Sequence, residues 1–581
     1  MINGRIKALL CSPETGINEI FRIFNDAVLH DLPSGIAIIT DEDGRVAGTV
    51  TDGDIRRAII KNGTIDLRAY DCMEKEPILF SDQLSLGEIA DLIPGELSRR
   101  HRRARKYLSK ILIVDKDKKP VRVLDYHQLW EQRVATHRNL VVIGLGYVGL
   151  TMAAVLADAG FRLTGIEIDT EKVNLLRRGE NYIYEKGLTE LIRKNLNKNF
   201  LVSDTVPDDG DVYIISVGTP VHQGIDGVKQ PVMSFLADAC ERVGKVLKQG
   251  NLVILRSTVP IGTTRNYVKS KLEEISNLTC GLDFHLSFAP ERTAEGKALQ
   301  ELRGLPQIIG GYNKDSLEAT AALFRDITPT IIRVDSLEAA EMAKLINNTF
   351  RDYIFAYSNQ LAIIGSKFNI NVVDVIKAAN EGYPRDRVPM PSPGVGGPCL
   401  TKDPHIFASM SDDYDFNNDI FIQGRNINES MHEHVVTSFR EELKSVKKEI
   451  AKCKILICGL AFKGNPETGD IRNSSAIEIA KLLFKETSKI YGYDPVARKE
   501  DIEAAGIESV SIPDGFNNAD AILFLNNHRS FEKVNLQDMV ERMNVHPIVY
   551  DSWNLFRPED ILSVKPSVYM GLSFTKTSIE S

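Results

Sequence analysis

Gly144, Gly146 and Gly149 form GLGYVG, directly after the apolar run LVVIG and directly before TMAAVLADAG. In a strand–turn–helix setting the first glycine makes the tight turn, the second lets backbone approach a pyrophosphate, and the third lets helix and strand pack closely. Tyr147 and Val148 then open a helix whose free N–H groups face the anion. Glu167 closes the next strand-like run, FRLTGIEID. A carboxylate there hydrogen-bonds both ribose hydroxyls and repels a 2′-phosphate, so the expected cofactor is NAD rather than NADP, with FAD as the competing dinucleotide.

Other side chains capable of chemistry stand farther along. Cys399 lies among glycines in GVGGPCLTKD, and Asp403 follows it in the same motif. Lys344 and Asn348 are one helical turn apart and would share a face; Glu291 and Glu295, in PERTAE, have the same spacing, which equally suits a solvated helix surface. An ionised cysteine is a strong nucleophile, although most cysteines are inert buried thiols and most helical lysines are solvated.

The elements that must hold these groups follow from the pattern of apolar runs. With 581 residues the chain is too long for one core, and about 150 residues per domain suggests about four units. Short apolar strands alternate with helical patterns from Asn139 to about Val334, which is an α/β arrangement. Residues 336–366 read as one long helix, and from Lys454 the α/β signal returns in KILICGLAF, KIYGYDP, AILFLNN and IVYDSW. The tail after Leu572 is polar and expected to be disordered. A net charge of −8 argues against nucleic-acid binding. Seven scattered cysteines lack metal-ligand spacing and suit a reducing compartment, so no metal and a cytoplasmic location are expected. No apolar run has the length of a membrane span, and the N-terminus does not read as a signal peptide.

Residues 36–55 (IAIITDEDGRVAGTVTDGDI) and 111–129 (ILIVDKDKKPVRVLDYHQL) form a weak repeat in which Asp41 matches Asp115 and Asp43 matches Asp117. The repeated unit is strand, Asp-rich turn, strand and helix start. It resembles a CBS-domain pair, a module that often binds adenine nucleotides. The resemblance assigns Thr51 and Asp54 to phosphate and ribose. Asp125 and Gln128 stand in the second copy, so one site looks intact; the alternative is a structural dimerisation module without ligand. The basic run RRHRRARK at 99–106 is either a solvated stretch or a phosphate site.

From Asn139 to about Pro558 the chain resembles the UDP-glucose/GDP-mannose dehydrogenase family through VIGLGYVGL, SVGTP, RSTVPIGTT, FAPERTAEGKA, EMAKLINNTF, GVGGPCLTKD and GLAFKGNPETGDIRNSS, in the family's order. The resemblance implies four-electron oxidation of a UDP-sugar C6 alcohol to the carboxylate, with two NAD and a cysteine thioester. It makes Cys399 the nucleophile, Lys344 and Asn348 the stabilisers of oxyanions, Asp403 a proton acceptor through a water that Thr258 positions, and Glu291 the base for thioester hydrolysis. Thr219, Glu295 and Arg472 fall among the cofactor contacts and Lys463 among the substrate contacts, while Arg385 and Arg387 would hold substrate diphosphate, from the partner subunit in one reading.

Two departures stand out. Trp553 occupies the place of an arginine that many relatives carry, and the cysteine motif reads GGPC rather than GGSC. The motif wording favours UDP-N-acetylmannosamine or UDP-N-acetylglucosamine, with UDP-glucose as the alternative. Rival classes are a simple two-electron dehydrogenase, which has no use for Cys399, and a non-catalytic nucleotide sensor. The expected fold is α/β: two Rossmann-like doubly wound domains joined by a long central helix and preceded by an α+β CBS pair. The expected boundaries are 1–136 (CBS pair), 137–334 (NAD domain), 335–450 (central helical domain), 451–565 (UDP-sugar domain) and a tail, 566–581. A homodimer built on the central helix is the expected assembly.

Overall fold

The computed structural model describes residues 6–30, 32–84, 89, 92, 96, 110–125, 138–224, 228–417 and 419–579. The chain divides into two compact units, Met1–Arg138 and Asn139–Ser581.

The first unit contains two three-stranded sheets built alike. Leu10–Cys11, Ile36–Thr40 and Val46–Thr51 form one; Leu79–Ser81, Lys110–Val114 and Pro120–Asp125 form the other. Each has a parallel pair followed by an antiparallel hairpin. The two hairpins turn by the same device. The Asp41 carboxylate accepts the N–H groups of Asp43 and Arg45, and the Asp115 carboxylate accepts those of Asp117 and Lys119. The repeat also shares one apolar cluster, in which Ile36 and Ile38 pack with Leu112, Val114 and Val123. The side chain of Asp125, Gln128 and the basic run at 99–106 lie outside the described residues.

The second unit opens with an eight-stranded sheet. Its order is Ile331–Val334, Gln307–Gly311, His285–Phe288, Leu252–Leu255, Val212–Ile215, Asn139–Ile143, Arg162–Ile166 and Phe200–Ser203. All neighbours are parallel except His285–Phe288 with Gln307–Gly311. Central strands such as Val212–Ile215 and Leu252–Leu255 are buried along their whole length, as strands covered on both faces must be. The strand order reverses beside Asn139–Ile143, so the glycine turn lies at a topological switch point, where open α/β sheets bind ligands.

Ser336 caps the central helix by accepting the Ala339 N–H. The helix then runs unbroken over Leu337–Ser366, 30 residues, or about 45 Å. The helix Asp419–Ser445 packs along it through Asn359–Asn428 and Asp352–Arg425 contacts. One face of the central helix is apolar and uncovered, with Met342, Ile346, Phe350, Tyr353, Tyr357 and Ile364 exposed. A seven-stranded sheet closes the unit, in the order Glu508–Ser509, Ile490–Tyr493, Ile455–Cys458, Ala521–Phe524, Ile548–Asp551, Val568–Met570 and Thr575–Thr577. Among the described residues, no helix is long and apolar enough to cross a membrane.

The expected disorder after Leu572 is corrected by this sheet. Thr575–Thr577 pairs antiparallel with Val568–Met570. Leu572 and Phe574 are buried, and the Thr575 N–H and carbonyl bond to the Asn369 side chain at the end of the central helix. Polar side chains suit the outer face of an edge strand, so composition alone misreads this segment. Phe574 is 7 % exposed; Phe574→Ala is expected to destabilise this unit by about 3–5 kcal/mol, read as a lower denaturant midpoint, and an unchanged midpoint would mean that the edge strand contributes no stability.

Candidate active site

The glycine turn has the geometry that a dinucleotide needs. Gly144 has φ +88°, and a Cβ there would lie 2.9 Å from the Ser216 carbonyl oxygen. A Cβ on Gly149 would fall 1.8 Å from the Gly144 carbonyl oxygen, so only glycine lets this helix meet its strand. Gly146 has nothing within 4 Å of the Cβ position and faces open space. Val148 lies in the first turn of the helix Tyr147–Asp158. Glu167, at the end of the neighbouring strand, accepts the Leu145 N–H at 3.2 Å, which places its carboxylate at the turn. These residues fit NAD: a bare backbone for the diphosphate, a helix N-terminus behind it, and an acid beside it for ribose.

The Tyr147 hydroxyl donates to Glu185, and both accept the Gly296 N–H, so the turn is fastened to the PERTAEG loop. A cavity of about 760 Å³ opens here, lined by Gly146, Tyr147, Lys172, Glu295, Asp470 and Arg472. A second, of about 930 Å³, is lined by Thr219, Lys229, Pro398, Lys402, Arg425 and Arg472, so Arg472 borders both. The Thr219 hydroxyl donates to the Thr258 carbonyl at 2.5 Å, joining the SVGTP and RSTVP loops.

The groups expected to react come from four elements and meet. Lys344, buried on the central helix, pairs with buried Glu291 at 3.4 Å. Burial opposes the Lys344 charge, but Glu291, Cys399 and Asp403 outweigh it and hold its pKa above the ordinary value. One turn on, the Asn348 amide donates to Asp403 Oδ2 at 2.5 Å, while Lys402 Nζ stands 2.7 Å from Oδ1. Asp403 is fully buried. Cys399 opens to solvent on one side. The protein around it desolvates the thiolate and, with Asp403, pushes the thiol up to about 11, against the pull of Lys344 and Lys402. The surroundings therefore favour the thiol, and the thiolate that the sequence reading invokes for attack must form against them.

Several sequence expectations change. Glu291 and Glu295 lie in a loop, not on a helix face. Glu295 contacts the other lobe: Thr468 donates to its carboxylate at 3.3 Å, Lys463 Nζ donates to its backbone carbonyl at 2.9 Å, and Arg472 stands 4.0 Å away. Burial and Asp470 push Glu295 up to about 7, with Arg472 and Lys463 opposing. Arg385 and Arg387 are exposed and line neither cavity, so the chain does not bring its own pair into the cleft. Trp553 lines neither cavity, and its Nε1–H is buried without a partner among the described residues. In the first unit Asp54 accepts both the N–H and the hydroxyl of Thr51 and pairs with Arg57, so in this structure the pair caps the helix Asp52–Asn62.

Residues that the sequence reading passed over hold the site. Glu341, buried on the central helix, accepts the Gly262 N–H and the N–H and hydroxyl of Thr264, and so fixes the loop after Thr258. Arg425 and Asp352 anchor the Cys399 loop. The signal for Arg425 is that it and Asn428 fall on the buried stripe of their helix, beside Gly424 and Met431; Glu341 and Asp352 are likewise buried positions of the central helix.

The charges acting on Cys399 give opposite signs for two variants. Lys344→Met removes a charge that favours the thiolate and should slow Cys399 alkylation by iodoacetamide at pH 8; Asp403→Asn removes one that disfavours it and should speed alkylation, each by about tenfold, the effect of one pKa unit. Equal rates in all three proteins would mean that these charges do not govern the sulfur.

Comparison with known proteins agrees with this geometry. The UDP-glucose/GDP-mannose dehydrogenase family matches in three pieces: its NAD binding domain at residues 138–328, its central domain at 338–430 and its UDP binding domain at 456–558. A CBS domain matches residues 5–61. The UDP-N-acetyl-D-mannosamine dehydrogenase of Methanococcus aeolicus is 33% identical over 418 residues, 72% of this chain and 91% of that protein. The Campylobacter jejuni protein of the same name is 33% identical over 412 residues, 69% of this chain and 98% of its own length. The solved UDP-D-ManNAc dehydrogenase from Pyrococcus horikoshii superposes with a TM-score of 0.67 at 30% identity, covering 75% of this chain and 99% of that one. The chain belongs to the UDP-glucose/GDP-mannose dehydrogenase family and is an NAD-dependent nucleotide-sugar oxidoreductase carrying a CBS domain before its dehydrogenase unit.

Proposed function

We propose that this protein oxidises the C6 alcohol of a UDP-sugar to the carboxylate through a thioester on Cys399, with UDP-N-acetylmannosamine as substrate. The observation that carries the reading is the convergence of a thiol, a buried Lys–Glu pair and a buried Asp403 held by half-buried Asn348 and Lys402, Cys399 feeling the charges of Lys344, Asp403, Lys402 and Glu291. The names of the relatives support the N-acetylmannosamine substrate; UDP-N-acetylglucosamine and UDP-glucose are the alternatives.

Bound NAD supplies the hydride acceptor for each of the two oxidations. Asp403 takes the alcohol proton through a water placed by Thr258, while Lys344 and Asn348 stabilise charge on the sugar oxygen. A neutral Asp403 no longer raises the thiol pKa, so the first oxidation eases ionisation of Cys399 when the aldehyde has formed. The sulfur gives up its proton and bonds to the aldehyde carbon while the oxygen takes a proton; loss of that O–H proton together with a hydride from the carbon then leaves the thioester. Glu291 takes a proton from water as it attacks; the C–S bond breaks and the carboxylate leaves. Glu295 and Arg472 face the cofactor diphosphate, and Lys463 faces the sugar nucleotide. The uncovered apolar face of the central helix suits a second copy of the chain, and exposed Arg385 and Arg387 would serve the partner's substrate site. Thr51 and Asp54 would bind an adenine nucleotide only by giving up part of their capping bonds.

The stoichiometry tests the reading. UDP-N-acetylmannosamine should yield two NADH per sugar, and Cys399→Ser should bind NAD normally yet form acid about a thousandfold or more slower, the scale of losing a nucleophile. One NADH per sugar, or full conversion by the variant, would exclude the thioester route.

A further inference from the structure

The loop that bears Cys399 has little regular structure of its own, and its position is set from outside by one side chain. Arg425, on the helix Asp419–Ser445, is fully buried. Its guanidinium donates to the Val395 carbonyl at 2.8 Å and to the Leu400 carbonyl at 3.2 Å, one before Cys399 in the chain and one after it. The same group donates to Asp352 Oδ1 at 2.6 Å. Asp352 follows Lys344 and Asn348 at successive helical turns, so one face of the central helix carries both the reacting groups and the anchor. Asn428 donates to the Asp352 carboxylate and backbone carbonyl, and bonds to Asn359, whose amide oxygen accepts the Ser392 N–H at 2.7 Å.

A buried guanidinium is costly unless it is paired and hydrogen-bonded; the two terminal nitrogens of Arg425 are bonded, while its Nε has no hydrogen bond among the described residues and only the Glu429 carboxylate at 3.4 Å. Its planar fork suits two carbonyls and a carboxylate held in fixed directions. A lysine could not span them. We propose that Arg425 is a positioning residue for the nucleophile: by clamping the carbonyls that bracket Cys399 it fixes the sulfur against Lys344 and Asp403. The assignment rests on the thioester reading, in which that placement matters.

Released from the clamp, the loop would let the sulfur swing away from Asp403 and from the protein that flanks it on its covered side. Its pKa would then fall from about 11 toward the ordinary thiol range. The sulfur becomes more reactive toward a small alkylating agent and less productive in turnover, a pairing that simple loss of stability does not give.

The test is Arg425→Lys in the full chain, with Asp352→Asn as the milder second variant. For each, the pH profile of Cys399 alkylation by iodoacetamide is read on the cysteine-bearing peptide by mass spectrometry, and kcat, the KM for NAD and the melting temperature are measured. Arg425→Lys is expected to lower kcat by about a hundredfold, the scale of a 1 Å misplacement, with unchanged KM for NAD and an alkylation midpoint shifted to lower pH. Asp352→Asn should shift both in the same sense by about tenfold, the effect of one pKa unit. A folded Arg425→Lys with wild-type kcat and alkylation profile overturns the proposal, as does a loss confined to KM. If that variant does not fold, a wild-type profile in Asp352→Asn overturns it instead. Alkylation reports the sulfur's surroundings whether or not it is the nucleophile, so failure of the thioester reading would appear separately, as conversion retained by Cys399→Ser.

Discussion

A charge taken out of water persists only beside an opposite charge or a set of hydrogen bonds, and the central helix satisfies that condition at three successive turns. Lys344 meets Glu291, Asn348 meets Asp403, and Asp352 meets Arg425. Each partner comes from a different stretch of chain: the PERTAEG loop, the start of the helix Asp403–Ala408, and the helix Asp419–Ser445. The pairs therefore dock three separate segments onto one rigid rod. The Cys399 thiol lies where these docked segments converge, and its protonation answers to their charges.

The two α/β lobes serve that rod from either side. The first lobe presents the glycine turn, with Gly146 open and Glu167 beside it. The second lobe reaches across through Lys463, Thr468 and Arg472, all directed at Glu295. Glu295 is half-buried, and desolvation with Asp470 pushes it up to about 7, so the electrostatic attraction across the cleft weakens as the pH falls through neutrality. The two cavities thus border side chains that join the lobes.

Much of this was legible in the residues. GLGYVG was readable as a strand–turn–helix unit, and the structure shows the crowding at Gly144 and Gly149 and the open space at Gly146 that the reading expects. The long helix was readable from its period, and its start from Ser336. The N-terminal repeat was readable from Asp41 and Asp115, which build the same turn twice. What stayed hidden depends on partners distant in sequence. Arg425 and Glu341 look like ordinary helical charges until Asp352, two carbonyls and the Gly262–Thr264 loop are seen around them. The thiol's raised pKa also depends on a charge balance that no motif spells out. The edge strand Thr575–Thr577 was missed because polar composition suits both a solvated edge and a disordered tail.

The central claim is that one sulfur carries the sugar between two oxidations. Glu291→Gln should block hydrolysis of the thioester while leaving both hydride losses possible. After mixing with NAD and UDP-N-acetylmannosamine, intact mass spectrometry and peptide mapping should find a sugar-nucleotide acyl adduct on Cys399, alongside a burst of two NADH per active site. The same burst with released acid and no adduct on Cys399 would contradict the account.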